Sequence, residues 1–452
     1  MAGAAESELT GRRQPAECRS CHGSEFLPLA RDIAPAAAPL QGIGEPRRQQ
    51  LGQGATVLSL ELEEAPLVCI EFWCRAGSRF ESEAESGLAH FLEHMVFKGS
   101  RRLAAGEFDR RIEALGGSSN AATGFDDVHY HLLIPPAAAA EGLALLLDLV
   151  LEPRLEAAAF DLERQVVLEE LAQSEDQPDE VALQHLLSLA CPDHAYGRPI
   201  LGRREALLAH TPEEMADFHG RLYGANRCVL ALTGALADAG LDAVLESCAL
   251  SRLAALPELP DSAPLRVEPG ELRLTLPRLE SARLLMAWAM PAACDLDGVM
   301  GADLATSLLA EGRRSRLVDR LREQLRIVES VDLDLHVMES GSLALLEAIC
   351  EPDELPAVRR EIGAVLHNLT AGAIGPAEWQ RCRHLVANGY RFSLESPAGM
   401  AGLIGSQALW QRRLPLAAPL QALDGWAGER LVEEIMPRLD PARAAVLEAL
   451  PA

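Results

Sequence analysis

From Leu88 to Phe97 the apolar residues recur at helical spacing with neither Gly nor Pro between Leu88 and Lys98, which predicts a helix. Upstream the period changes. Residues 56–62 alternate and 67–73 form a second apolar run, so two strands joined by the turn Glu63-Glu64-Ala65-Pro66 precede a loop containing Gly77-Ser78 and Gly87. Downstream, a second helix over 107–115 is stopped by Gly116-Gly117, and 119–133 reads as a single strand. Leu-rich 141–151 and Glu-bearing 161–172 read as helices. Thr211 with Glu214 three positions later forms a capping-box pattern for a helix to Tyr223, and 229–233 is a buried strand.

A proline-containing stretch, 256–270, reads as a linker, after which the plan repeats. Strands over 272–276 and 282–289 precede a helix over 301–310; a strand over 342–349 and helices over 354–369 and 376–393 follow. The repeated order implies an internal duplication. It predicts an α+β chain of two homologous domains, each an antiparallel-rich sheet packed with helices. The expected divisions are an extension without fixed structure over 1–45, a domain over 46–255, the linker, and a second domain over 271–452.

Composition narrows the picture. The formal net charge of −26 argues against nucleic acid as a partner. No apolar run approaches the roughly 20 residues of a membrane span, and no secretory signal is recognisable, so the expected setting is cytoplasmic. The ten cysteines are scattered rather than spaced as a framework and read as reduced thiols. One string, Cys18-Arg19-Ser20-Cys21-His22, matches the haem c attachment pattern; a chance match or a weak metal site fits it as well.

The first predicted helix carries the chemistry. Positions i and i+4 share a helix face, so His90 and His94 lie side by side, able to hold one metal ion, with the Glu93 carboxylate over the same face. Two neutral imidazoles and a nearby base are what zinc hydrolysis needs, since the metal lowers the pKa of a water to about 7. The order is H-x-x-E-H, the inverse of the commoner H-E-x-x-H. A core helix whose histidines and glutamate make ordinary hydrogen bonds would carry the same five residues. In the duplicate, the helix over 301–310 has no His or Glu at these places.

The chain resembles the pitrilysin (insulinase-type) family of zinc peptidases, and within it the short bacterial relatives of the mitochondrial processing peptidase catalytic subunit. The likeness runs from about Gly77 to about Ser393 and is densest at 77–99, 117–130 and 163–170. It implies that His90 and His94 are zinc ligands and Glu93 the catalytic base. It places the third ligand at Glu170 and an assisting carboxylate at Glu163, both in Glu163-Arg164-Gln165-Val166-Val167-Leu168-Glu169-Glu170, with Glu169 turned away. Asn120-Ala121 then matches a strand that lies along an extended peptide substrate, although Asn120 also suits a turn. His129 and His131, one strand repeat apart with no paired carboxylate in sequence, read as structural.

One departure matters. The family grips substrate with an Arg and, seven residues on, a Tyr; Arg322 fits the first, but Glu329 stands at the second and is placed to pair with Arg322. The resemblance therefore implies one zinc per chain, a peptide substrate, and a homologous partner chain, in a heterodimer or a homodimer, that completes the enzyme. The rival reading is a non-catalytic structural subunit of a complex.

Overall fold

The computed structural model describes residues 43–259 and 262–452, so the Cys18–His22 string lies outside the described residues. The first half builds a six-stranded sheet from β1 (Arg47–Leu51), β2 (Ala55–Glu61), β3 (Val68–Cys74), β4 (Ser118–Thr123), β5 (Val128–Ile134) and β6 (Cys228–Gly234), in the order β1-β2-β6-β3-β5-β4. Its helices are α1 (Leu88–Val96), α2 (Glu107–Ala114), α3 (Ala139–Leu151), α4 (Ala157–Glu175), α5 (Pro178–Ala190), α6 (Arg204–Ala209), α7 (Pro212–Leu222), α8 (Leu241–Ser247) and α9 (Ala249–Arg252). The second half has a five-stranded sheet from β7 (Gly270–Leu276), β8 (Ala282–Met290), β9 (Ser330–His336), β10 (Ser342–Cys350) and β11 (Ala445–Pro451), in the order β7-β11-β8-β10-β9. With it go α10 (Leu296–Ala310), α11 (Leu355–Ala371), α12 (Pro376–Ser393), α13 (Pro397–Leu409), α14 (Ala418–Asp424) and α15 (Gly428–Glu434).

Sheets packed against helices in two similar halves are the expected α+β class, and the first helix begins at Leu88 as its periodicity predicts. Two local expectations are corrected. The run over 119–133 is not one strand but the antiparallel pair β4 and β5, because Gly124 donates to Asp127 O at 2.8 Å and closes a turn. The turn at 63–66 does not join sheet neighbours: β6 lies between β2 and β3, parallel to the first and antiparallel to the second.

One face of each sheet is covered by helices of its own half; the other is covered by a helix lent by the opposite half. On the first sheet, Ile70, Phe72, Tyr130 and Leu132 face the core built with α1 and α3. On its other side, Leu58, Leu60, Cys69 and Trp73 pack under Met400, Ala401 and Ile404 of α13. Reciprocally, Ala182, Leu186 and Leu187 of α5 cover Leu285, Ala287, Leu343 and Leu447 of the second sheet. The backbones come close where α13 crosses: a Cβ on Gly405 would stand 2.4 Å from Trp73 Nε1.

Candidate metal centre

The start of α1 is fixed by its surroundings. Gly87 has φ +85°, and a Cβ there would meet Leu201 O at 2.7 Å, so glycine suits this position on two counts. The first-turn N–H groups of a helix lack internal partners. Glu81, from the preceding loop, accepts from Gly87 N at 3.0 Å and Ala89 N at 2.7 Å. Burial pushes its carboxyl up to about 8 against the pull of those donors. Leu88, Phe91, Leu92 and Met95 are wholly buried and leave His90, Glu93 and His94 to the remaining face.

Helix α4 packs on α1 through Phe160 against Phe91, ring centres 4.5 Å apart, and brings two carboxylates to the histidines. Glu170 Oε1 is 3.6 Å from His90 Nε2, and Glu170 Oε2 is 3.3 Å from His94 Nε2. One ligand atom from each of the three residues lies within 4.8 Å of the others. Glu163 stands behind: its Oε1 meets His94 Nδ1 at 2.9 Å and its Oε2 meets Lys98 Nζ at 2.7 Å. Glu93 Oε2 accepts from Thr123 Oγ1 at 2.5 Å. Burial raises the Glu93 carboxyl above its ordinary range against the Thr123 hydrogen bond, which lowers it. Burial, then the neighbouring His94, pushes His90 down to about 4, so it is neutral near pH 7.

These contacts test whether the residues suit a metal. His94 Nδ1 is engaged with Glu163, which leaves its Nε2 as the ring atom facing the cluster. The Nε2 atoms of His94 and His90 face the Glu170 carboxylate at 3.3 and 3.6 Å with no hydrogen bond between them. A cation placed among these three groups would be held by all of them. Two imidazoles, one of them oriented by a second carboxylate, and the Glu170 carboxylate form the donor set that catalytic zinc takes.

The structure thus gathers His90, His94, Glu170, Glu93 and Glu163, and leaves Glu169 exposed. Asn120 and Ala121 lie on β4, the edge strand beside α1; Asn120 Oδ1 accepts from Ala121 N at 2.9 Å. Arg322 is not brought in. It sits in a π-helical turn, Val318–Leu325, and pairs with Glu323 at 3.1 Å; no hydrogen bond or ion pair among the described residues joins it to the cluster. The expected pairing of Glu329 with Arg322 is corrected as well: Glu329 Oε1 accepts from Ser281 Oγ at 3.0 Å. Sequence reasoning missed Glu81, Lys98 and the hydrogen bond of Thr123. Lys98 carried a signal, one helical turn beyond His94; the others act through loop and strand contacts with no local pattern. Beyond Glu170 along α4, a cavity of about 940 Å³ opens between the halves, lined by Phe125, Leu171, Ser174, Leu183, His336 and Val337 among others.

No helix among the described residues is long and apolar enough to cross a membrane. Comparison with known proteins finds the insulinase (peptidase family M16) model over residues 56–204 and the peptidase M16 inactive-domain model over 209–386. An uncharacterized zinc protease of Mycobacterium tuberculosis is 29% identical over 370 residues, 80% of this chain and 84% of that protein. A probable mitochondrial-processing peptidase subunit beta of Arabidopsis thaliana is 26% identical over 423 residues, 89% of this chain and 78% of that one. In fold, a protease from Helicobacter pylori superposes with a TM-score of 0.83 at 23% identity, covering 90% of this chain and 99% of that one. With an insulinase model on its first half, an inactive-domain model following and zinc proteases among its relatives, the chain belongs to the insulinase family of peptidases, family M16.

Proposed function

We propose that the chain is a zinc-dependent endopeptidase and the zinc-bearing subunit of an enzyme completed by a homologous partner chain. The observation that carries this reading is the convergence of His90, His94 and Glu170 ligand atoms beside a half-buried base, Glu93. Residues 46–255 carry the chemistry, and 271–452 form the inactive wall facing it. Zinc bound there supplies an acidified water and a polarised carbonyl.

The chain's own residues do the rest. Glu93, its carboxyl raised by burial, accepts the proton of the attacking water and returns it to the leaving amine, while Thr123 fixes its orientation. Lys98 holds Glu163, and Glu163 holds the ring of His94. The free edge of β4 offers backbone groups to an extended peptide, which exchanges the Asn120–Ala121 contact for strand pairing. Backbone pairing reads little sequence, so unfolded leader or targeting peptides are the substrate class. Substrate-gripping groups must come from elsewhere, because Arg322 is engaged with Glu323 and Glu329 with Ser281. That is the support for a partner.

The deciding experiment measures zinc content and peptide cleavage by the purified chain, alone and mixed with a homologous chain from the same organism. Zinc at the His90 cluster, lost in His90→Ala with His94→Ala, together with cleavage only in the mixture is the expected result. Full activity alone, at dilutions that separate dimers, would overturn the divided enzyme and leave the peptidase. No zinc at the His90 cluster after reconstitution would overturn both and leave a structural subunit.

A further inference from the structure

A second group of ligand-type side chains lies on the opposite face of the first sheet, away from α1. Cys69 and Glu71 are two residues apart on β3 and share that face, and Glu71 is directly opposite His131 of β5. Cys69 Sγ is 3.5 Å and Glu71 Oε1 is 3.0 Å from the same atom, His131 Nδ1. Cys69 is fully buried, Glu71 is 5% exposed, and the His131 side chain reaches solvent at 19%. The carboxylate that pairs with His131 comes from another strand, so no spacing along the chain announces it.

We propose that Cys69, Glu71 and His131 form a second metal site, of the zinc type, separate from the His90 cluster. Three kinds of donor aim at one point, and a single proton on His131 Nδ1 serves only one of the other two. The sulfur–nitrogen separation is that of a shared ion, and the nitrogen–oxygen separation is within a few tenths of an ångström of it. With metal–sulfur at about 2.3 Å and metal–nitrogen or metal–oxygen at about 2.0 Å, tetrahedral angles set sulfur and nitrogen about 3.5 Å apart and nitrogen and oxygen about 3.3 Å apart. A thiolate, an imidazole and a carboxylate select zinc or cobalt over magnesium and calcium. The surroundings support the ligands: Trp73 Nε1 donates to Glu71 Oε2 at 2.8 Å, fixing the carboxylate from behind as outer partners of metal ligands do. The helix above leaves room, since a Cβ on Gly402 of α13 would lie 3.7 Å from Glu71 Oε2.

The site has a structural consequence. It ties β3 to β5 beneath α13, the helix lent by the second half, and Asn120 of the edge strand β4 is the direct neighbour of His131. An ion here fastens the strand on which the free edge is hung, and does no chemistry on substrate. The proposal does not depend on peptidase activity.

Cobalt(II) separates the two sites, because only the second contains sulfur. The full chain, freed of metal and titrated with cobalt, should bind two ions and show a near-ultraviolet sulfur-to-cobalt charge-transfer band. The band should persist when the first site is removed by His90→Ala with His94→Ala, leaving one ion. It should vanish in Cys69→Ser, with circular dichroism confirming the fold, and His131→Gln should remove it as an independent check should Cys69→Ser fail to fold. One ion without a sulfur band in the unaltered chain overturns the proposal and leaves a buried hydrogen-bonded trio. A band that survives both Cys69→Ser and His131→Gln overturns it too, by placing the sulfur elsewhere.

Discussion

Helices α1 and α10 each follow a central strand of their sheet and pack against a long helix, α4 in one half and α12 in the other, yet their exposed chemistry is opposite. Helix α1 is nine residues long and keeps one face for His90, Glu93 and His94. Helix α10 is fifteen residues long and buries Met300, Ala302, Leu304, Ala305, Leu308 and Leu309. Against α1, α4 brings Glu163 and Glu170; against α10, α12 brings Cys382, whose Sγ donates to Leu304 O. The stacking needs only an apolar face on each helix, so the second half keeps the fold without the site. Placing two imidazoles and two carboxylates at a helix contact instead requires every one of them to find a partner, which is the work of Lys98, Thr123 and the cation the cluster fits.

The largest effect that should separate the halves is Glu93→Gln. Peptide cleavage by the assembled enzyme should fall by about 10³-fold while zinc content stays the same. A zinc-loaded variant that still cleaves would show that Glu93 is not the base and would leave α1 no different in kind from α10.

One buried group in each half should respond to acid with opposite sign. In the first, His219 donates from Nε2 to Val150 O, and burial pushes it from 6.5 down to about 4. The unfolded chain takes up that proton first, so the stability His219 supports above pH 6.5 is lost as pH falls toward 4, up to about 3 kcal/mol. In the second, burial, then Glu311, pushes Asp303 of α10 from 3.8 up to about 6. Its contribution is complete below pH 3.8 and is lost as pH rises through 6. Unfolding curves at pH 7 and pH 4.5 for the chain, His219→Gln and Asp303→Asn isolate each group. On acidification the first variant should gain relative to the parent and the second should lose; shifts of one sign for both would break the contrast.

A smaller effect sharpens the role of the groups behind His94. Glu163→Gln and Lys98→Ala should each weaken zinc affinity by about 10- to 100-fold, the usual weight of partners that orient a ligand. Competition with a chelator reads this directly, and unchanged affinity would make Glu163 and Lys98 merely structural.

How far the sequence foretold these features depends on whether a feature is local. His90, Glu93 and His94 were legible because a single helix face puts them together. Glu170 and Glu163 entered through the family likeness, and the packing of α4 on α1 supplies the reason for it. Thr123 and Glu81 were not legible, because one reaches α1 from a neighbouring strand and the other from a loop. Strand β1, Arg47–Leu51, has no apolar pattern to announce it, and β4 and β5 merged into one expected strand until the turn at Gly124 divided them. Periodicity said that α12 was a helix; no periodicity says that the helix after it, α13, crosses to the other sheet.

That crossing yields the finest test. Gly363 lies inside α11, where an added Cβ meets nothing within 4 Å, whereas Gly405 lies inside α13, where it meets Trp73 Nε1 at 2.4 Å. Both are helix-interior glycines of the second half, and helix propensity alone favours alanine at each by about 1 kcal/mol. At Gly363 that gain should appear undiminished as a small rise in Tm. At Gly405 the indole of Trp73 is held by its bond to Glu71 and cannot retreat freely, so overpacking of about 1–3 kcal/mol should reverse the sign. Two identical substitutions in one half would then differ only because one helix belongs, by its contacts, to the other. If Gly405→Ala raised Tm as Gly363→Ala does, α13 would not be seated on the first sheet, and the reciprocal exchange of helices between the halves would have to be abandoned.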